Sequence, residues 1–175
     1  MHMGKLAAIA AFLAALATPA FAQTHAAVTN FNTLCYETRG VQTAAFERAE
    51  AAGWTPLQMS PQTSRIHRDN AGRHTLMFQQ LGNGNTLCMV SLANQRQRGD
   101  ISADAQALFG HPPTYMEGTW SVWTFDNADG ALTYMSNSDT QRATDAFTNG
   151  RAVVVRSGVD AGIDIIMYEY RPAAN

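Results

Sequence analysis

Seven stretches of this 175-residue chain alternate β-branched, aromatic or other apolar residues with polar ones, and Asn, Asp or Gly brackets most of them. A period of two marks strands with one buried face. The stretches are 65–68, 73–81, 86–92, 119–125, 131–135, 152–156 and 163–170. Asp69-Asn70-Ala71-Gly72, Gly82-Asn83-Gly84-Asn85 and Asp126-Asn127-Ala128-Asp129-Gly130 connect some of them, and these residue types tolerate the positive φ of hairpin turns. Hairpins join antiparallel neighbours, so the expectation is one antiparallel sheet of about six or seven strands.

Helical spacing fills the rest. Residues 28–52 read as helix interrupted at Gly40, with Val41, Ala44, Ala45, Ala49 and Ala52 on one face. Gly53, Trp54 and Pro56 form a stop: Gly suits the left-handed position after a helix, and Pro prevents continuation. A second helix covers about 102–109, with Ser102 as N-cap and Gly110, Pro112 and Pro113 as the stop. A third starts at Ser138, spaced to Gln141 as in a capping box, and ends at Gly150. Two or three helices on one face of an antiparallel sheet make a single α+β domain.

The N-terminal 22 residues read differently. A polar start with Lys5, an apolar run from Leu6 to Leu16, Pro19 and the small-residue site Ala20-Phe21-Ala22 form a secretory signal, with cleavage expected between Ala22 and Gln23. The apolar run is well short of the ~20 residues a membrane span needs, and no later stretch reaches that length. The expected product is residues 23–175, periplasmic or secreted, with no transmembrane segment. Its 11 Arg against 14 acidic residues leave a net charge of −3.

Export decides how the two cysteines are read. Cys35 and Cys88 are 53 positions apart, too far for a CxxC redox motif and too few for a structural zinc. In an oxidising compartment a disulfide is the expectation, and two free buried thiols are the competing reading. Closing such a loop stabilises a fold by about 4 kcal/mol on the chain-entropy argument.

Two 21-residue stretches, starting at Gly72 and Gly150, align without gaps. Gly72/Gly150, Arg73/Arg151, Gly84/Gly162 and Met89/Met167 coincide, and both copies read strand, Gly-containing turn, strand. An internal duplication would explain this. Two copies are too few for a solenoid.

Cys35, Gly53-Trp54, Leu87-Cys88-Met89-Val90, His111-Pro112-Pro113 and Gly150-Arg151-Ala152-Val153-Val154 form a series that resembles a group of short exported bacterial proteins. The resemblance spans most of the mature chain. It implies the architecture, and it carries no activity to transfer.

Chemistry is sparser. With 15% charged residues and a near-neutral balance, charge-driven disorder and the basic surplus of a nucleic-acid binder are both excluded. GxSxG, HExxH, GxGxxG, Walker and EF-hand patterns are absent. Asp126 and Asp129 lack the alternating ligands of a calcium loop and read as a turn. Arg98-Gly99-Asp100 matches an integrin tripeptide but sits at a helix entry. Copper would suit Met and His in an oxidising compartment. His74 and Met77, however, are three apart on a strand and point to opposite faces. Met77, Met89 and Met167 read as core packing.

One local anomaly remains. Arg65, His67, Arg68, Arg73 and His74 surround the Asp69–Gly72 turn in an otherwise slightly acidic chain. A four-residue loop would set His67 opposite His74 and Arg68 opposite Arg73, and like charges so opposed destabilise a hairpin. An anion gripped by the guanidinium groups would offset this. The paired imidazoles could instead begin a zinc site, or the whole segment could be a solvated tip.

The sequence therefore points to an exported, non-enzymatic binding or envelope-associated protein. Its partner would be a small anionic ligand or an envelope protein; no cofactor and no nucleic acid are expected. One rival is a small hydrolase or metal-assisted enzyme using His67, His74 or His111, marked by a His bonded to both a carboxylate and a Ser or Thr. The other is an inhibitor or immunity-like partner of a secreted protein, marked by an exposed apolar patch on one sheet face.

Overall fold

Every strand that the alternation marks is present in the computed structural model, which describes residues 24–57, 64–81, 84–92 and 100–171. The expected secretory leader and its Ala22–Gln23 cleavage site, like Arg98-Gly99, lie outside the described residues. The seven anticipated strands are β2 (Ser64–Arg68), β3 (His74–Gln80), β4 (Thr86–Leu92), β6 (Trp120–Ala128), β7 (Ala131–Met135), β8 (Ala152–Asp160) and β9 (Ile163–Arg171). Two more, β1 (Thr55–Leu57) and β5 (Tyr115–Glu117), bring the described sheet to nine, all antiparallel.

Both additions are three-residue strands, too short to show a period. β1 contains Pro56, which lacks an N–H and blunts the edge it forms. The order is β1-β2-β3-β4-β9-β8-β6-β5, with β7 also paired to β6. The last strand, β9, thus lies between β4 and β8 and ties the two halves of the sheet together. β6 runs to Ala128, leaving only Asp129 and Gly130, both at positive φ, to turn into β7. Asp126 therefore belongs to a strand, whereas the sequence pattern places it in a loop.

The two 21-residue stretches fold as corresponding hairpins, β3–β4 and β8–β9, but their registers differ by one residue. His74 pairs with Leu92, while its counterpart Ala152 pairs with Arg171. Leu76 and Phe78 consequently join the core, whereas Arg156, the counterpart of Phe78, lies on the opposite face. The correspondence stops at the level of the hairpin.

One face of the sheet is covered by α1 (Ala26–Phe31), a π-helical turn continuing it (Asn32–Tyr36), α2 (Gln42–Ala51) and α3 (Ile101–Phe109). Phe31, Leu34, Phe46, Ala105 and Phe109 from these helices pack on Phe78, Cys88, Val90, Trp123, Val155 and Tyr168 from the strands. Full burial of such side chains stabilises by roughly 1.5–3 kcal/mol each. The α2 face is rotated from the one its spacing suggests: Ala45, Phe46 and Ala49 are buried, but Val41 is 51% exposed and Ala52 is exposed. Phe46 causes the rotation, since its ring stands edge-on to Phe78 at 5.1 Å.

The fourth helix, α4 (Thr140–Thr148), corrects the expectation of helices on one face only. It packs Ala146 and Phe147 on Met135 and Ala152. Met135 and Ala152 pair with Thr124 and Asp126, the phase of β6 opposite to Trp123 and Phe125.

The Cys35–Cys88 disulfide is formed, with the Cα atoms 5.7 Å apart, and fastens the π-helical turn to the central strand β4. Gly40 then lets the chain turn into α2. Its N–H donates to the Cys35 carbonyl at 2.9 Å, its φ is +66°, and a Cβ there would lie 2.8 Å from the Tyr168 ring. The anticipated stop after α2 is also present: Gly53 has φ +83° and the Trp54 N–H reaches back to the Ala49 carbonyl at 2.9 Å.

Candidate functional site

The hairpin that the sequence singles out does not assemble as expected. Asp69 Oδ1 accepts the N–H groups of Arg73 and His74 at 2.7 and 3.1 Å, moving the turn one residue along the chain. His67 therefore faces Leu76, and Arg68 faces Thr75. The anticipated opposition of Arg68 to Arg73 and of His67 to His74 does not occur. Arg65 pairs with Phe78 on the helix-covered side, Arg68 lies one phase over on the other side, and Arg73 sits in the exposed turn.

The two imidazoles are buried under the helix layer. His67 Nε2 bonds Glu50 at 3.1 Å with the Phe46 ring tilted against its own at 4.3 Å, and His74 Nδ1 bonds Asp69 at 2.7 Å. Burial alone would raise the Asp69 carboxyl, but its bonds to His74 and Arg73 outweigh that and hold it below the usual range. His67 Nδ1 and His74 Nε2 are buried without hydrogen-bond partners. Two imidazoles fall short of the four ligands of a structural zinc site, and no group of three His, Cys, Asp or Glu is placed to hold a metal among the described residues.

His25 supplies a third such pair, which sequence reading missed because its partners lie far along the chain. Its backbone N–H bonds Asp104, Nδ1 accepts the Ala27 N–H at 3.3 Å, and Nε2 consequently carries the proton toward Asp164 at 3.0 Å. His111 is exposed and stacks on Tyr134 at 4.4 Å. Among the described residues, each buried histidine is thus bonded to a carboxylate, and none to a Ser or Thr hydroxyl.

What the fold does assemble lies on the side of the sheet that α1, α2 and α3 leave open. The registers align Ile66 on β2, Met77 on β3, Met89 on β4, Met167 on β9 and Arg156 on β8 in one cross-strand row. Its four apolar members are all half-buried. Thr75, Ser91 and Ile165 form the row on one side; Gln79, Leu87 and Glu169 form the row on the other. The reading of the three methionines as core packing is thereby corrected. They occupy the outward phase of strands whose inward phase is Phe78, Cys88 and Tyr168.

Charged networks close one end of this face. Glu169 accepts from Arg156 Nη1 at 2.7 Å, from Asn85 Nδ2 at 2.7 Å and from Arg171 Nη2 at 3.2 Å. Burial would raise its carboxyl, but those donors hold it below the usual carboxylate range. Arg156 also reaches Glu117 at 3.3 Å. Asp126, beneath α4, accepts from Arg151 at 2.9 Å and Arg142 at 3.3 Å; the Arg151 bond is the main cause of its lowered pKa. Each of these buried carboxylates is paired, as its burial requires.

No helix among the described residues is long and apolar enough to cross a membrane. Comparison with protein-family models, with curated proteins and with solved structures returns no match. The functional reading therefore rests on the geometry.

Proposed function

We propose that this is an exported, non-enzymatic binding protein, periplasmic or secreted, that engages its ligand through the open face of its sheet. The observation that carries the reading is the row Ile66–Met77–Met89–Met167, half-buried and left uncovered by the helices among the described residues, on one face of a sheet whose other face packs under α1, α2 and α3. Leaving contiguous apolar surface in water is unfavourable, and on folded proteins such patches mark binding sites. Methionine suits that role because its flexible thioether side chain adapts to what it meets.

The same row also supports the rival reading, an inhibitor or immunity-like partner of another secreted protein. Of the anticipated anion-binding hairpin residues, Arg68 is exposed on the open side beside Thr75.

Native mass spectrometry of the protein purified from its own host's exported fraction tests the proposal. The expected denatured mass is that of residues 23–175 less two hydrogens, and the expected native spectrum carries additional mass that Met89→Lys removes. A small increment identifies a ligand, and a protein-sized one selects the partner reading. Full-length mass would overturn export; retained mass that Met89→Lys leaves in place would overturn the open face as the site.

A further inference from the structure

The middle of the open row is three methionines on three adjacent strands. Met77 pairs with Met89, and Met89 with Met167. Directly paired residues lie on the same face, so three thioethers stand side by side. Adjacent strands lie about 4.8 Å apart, which starts Met77 and Met167 roughly 10 Å from each other with Met89 between them. Each side chain has three rotatable bonds, enough for the outer two to lean inward and bring three sulfurs to one centre above Met89.

Thioether sulfur is a soft, uncharged donor that selects Cu(I), whereas carboxylate and carbonyl oxygens select calcium and magnesium. The neighbourhood sharpens that selection. Thr75, Ser91, Gln79, Leu87 and Ile165 surround the triad, and Glu169, the carboxylate in the flanking row, is already engaged by Arg156, Arg171 and Asn85. Among the described residues of these rows, no hard anionic ligand is left to attract a divalent ion. Arg156, next in the row, would repel a cation, but Glu169 and Glu117 both neutralise it.

We propose that Met77, Met89 and Met167 form a Cu(I)-binding site on the open face. This deepens the binding reading above and rests on it in taking the open face as the working surface. The copper arrives and stays as Cu(I), so no electron transfer is involved.

The test is an anaerobic Cu(I) titration of the disulfide-intact protein with ascorbate present and a chromophoric Cu(I) chelator as competitor. One Cu(I) per chain is expected, at least tenfold weaker retention in each of Met77→Leu, Met89→Leu and Met167→Leu, and none in the triple variant. Leu keeps the volume and apolar character while removing the sulfur. Failure of copper binding and failure of the open-face reading are therefore separable: the triple Leu variant removes the first alone, and Met89→Lys removes the second as well. No Cu(I) held by the wild-type protein, or undiminished binding by the triple variant, would overturn the site.

A second measurement needs no variant. With Ag(I), a redox-silent soft ion, peroxide oxidation of Met77, Met89 and Met167 should slow while that of Met116, 60% exposed on β5, stays unchanged. Equal oxidation of the triad with and without Ag(I) would overturn the proposal.

Discussion

Leu76, Met77 and Phe78 are consecutive residues with opposite fates. Leu76 and Phe78 are 0% and 2% exposed beneath α1, α2 and α3, while Met77 between them is half-buried on the other side. The whole sheet repeats this contrast. Its closed face holds the disulfide, the aromatic cluster and three histidine–carboxylate pairs, each group bonded or packed. Among the described residues, its open face has a helix only at one end and carries soft, adaptable side chains elsewhere. The two faces differ in kind: one holds the fold, and the other carries the surface proposed above to bind.

Substitution of neighbours is the strongest way to break this comparison. Phe78→Ala should cost about 3–5 kcal/mol, the transfer free energy of a buried ring plus the cavity it leaves. Met77→Ala should cost about 1 kcal/mol, since only part of its surface leaves water. Urea denaturation of the two variants measures the difference. Equal costs would mean that the open face is packed as tightly as the closed one.

The charged end of the open face comes next. Glu169→Gln should destabilise by about 2–3 kcal/mol, because it strips charge from a buried acceptor of three donors and leaves Arg156 and Arg171 undercompensated. The pH dependence follows with a definite sign. Glu169 and Asp126 both have folded-state pKa values below their ordinary ones. Their stabilising contributions are complete above the unfolded-state range near pH 4 and are lost as pH falls through the lower folded values. Chemical denaturation from pH 7 down to pH 2 should therefore show a shallower acid loss in Glu169→Gln than in the wild type. Parallel profiles would remove Glu169 from the acid-sensitive set.

The closed face was far more legible in the sequence than the open one, and the reason is physical. Burial writes a period into the chain, so β3, β4, β8 and β9 could be read from their apolar phase. The outward phase obeys no such rule. Met89 and Met167 coincide in the two aligned stretches, the one available signal, but only the cross-strand register brings Met77 beside them. Register also undid the Arg68–Arg73 pair, because a single side chain, Asp69, shifted the turn. The third histidine pair was hidden for a related reason: Asp104 and Asp164 lie 79 and 139 positions from His25.

Helix entries give the smallest expected effects and show where the sequence pattern misplaces a cap. The pattern marks Ser102 for α3, on the closed face, and Ser138 for α4, on the open face. In the fold, Asp100 Oδ1 accepts the N–H groups of Ser102 and Ala103 at 2.9 and 3.4 Å. Asp139 occupies the α4 entry and bonds Ser136 rather than its own helix. At α3 the acid takes the cap because Ser102, two residues on, already lies inside the first turn; at α4 the entry moves one residue past Ser138 to Asp139, whose carboxylate is turned back to Ser136 and leaves the first turn without a side-chain cap. Asp100→Ala should thus cost about 1 kcal/mol, the usual loss for an N-cap. Ser138→Ala should change stability by less than about 0.5 kcal/mol, since its exposed hydroxyl bonds only Ser136 Oγ among the contacts described. Thermal melts of the two variants decide this. A cost at Ser138 as large as at Asp100 would restore the capping box and give α4 an entry as firmly built as that of α3.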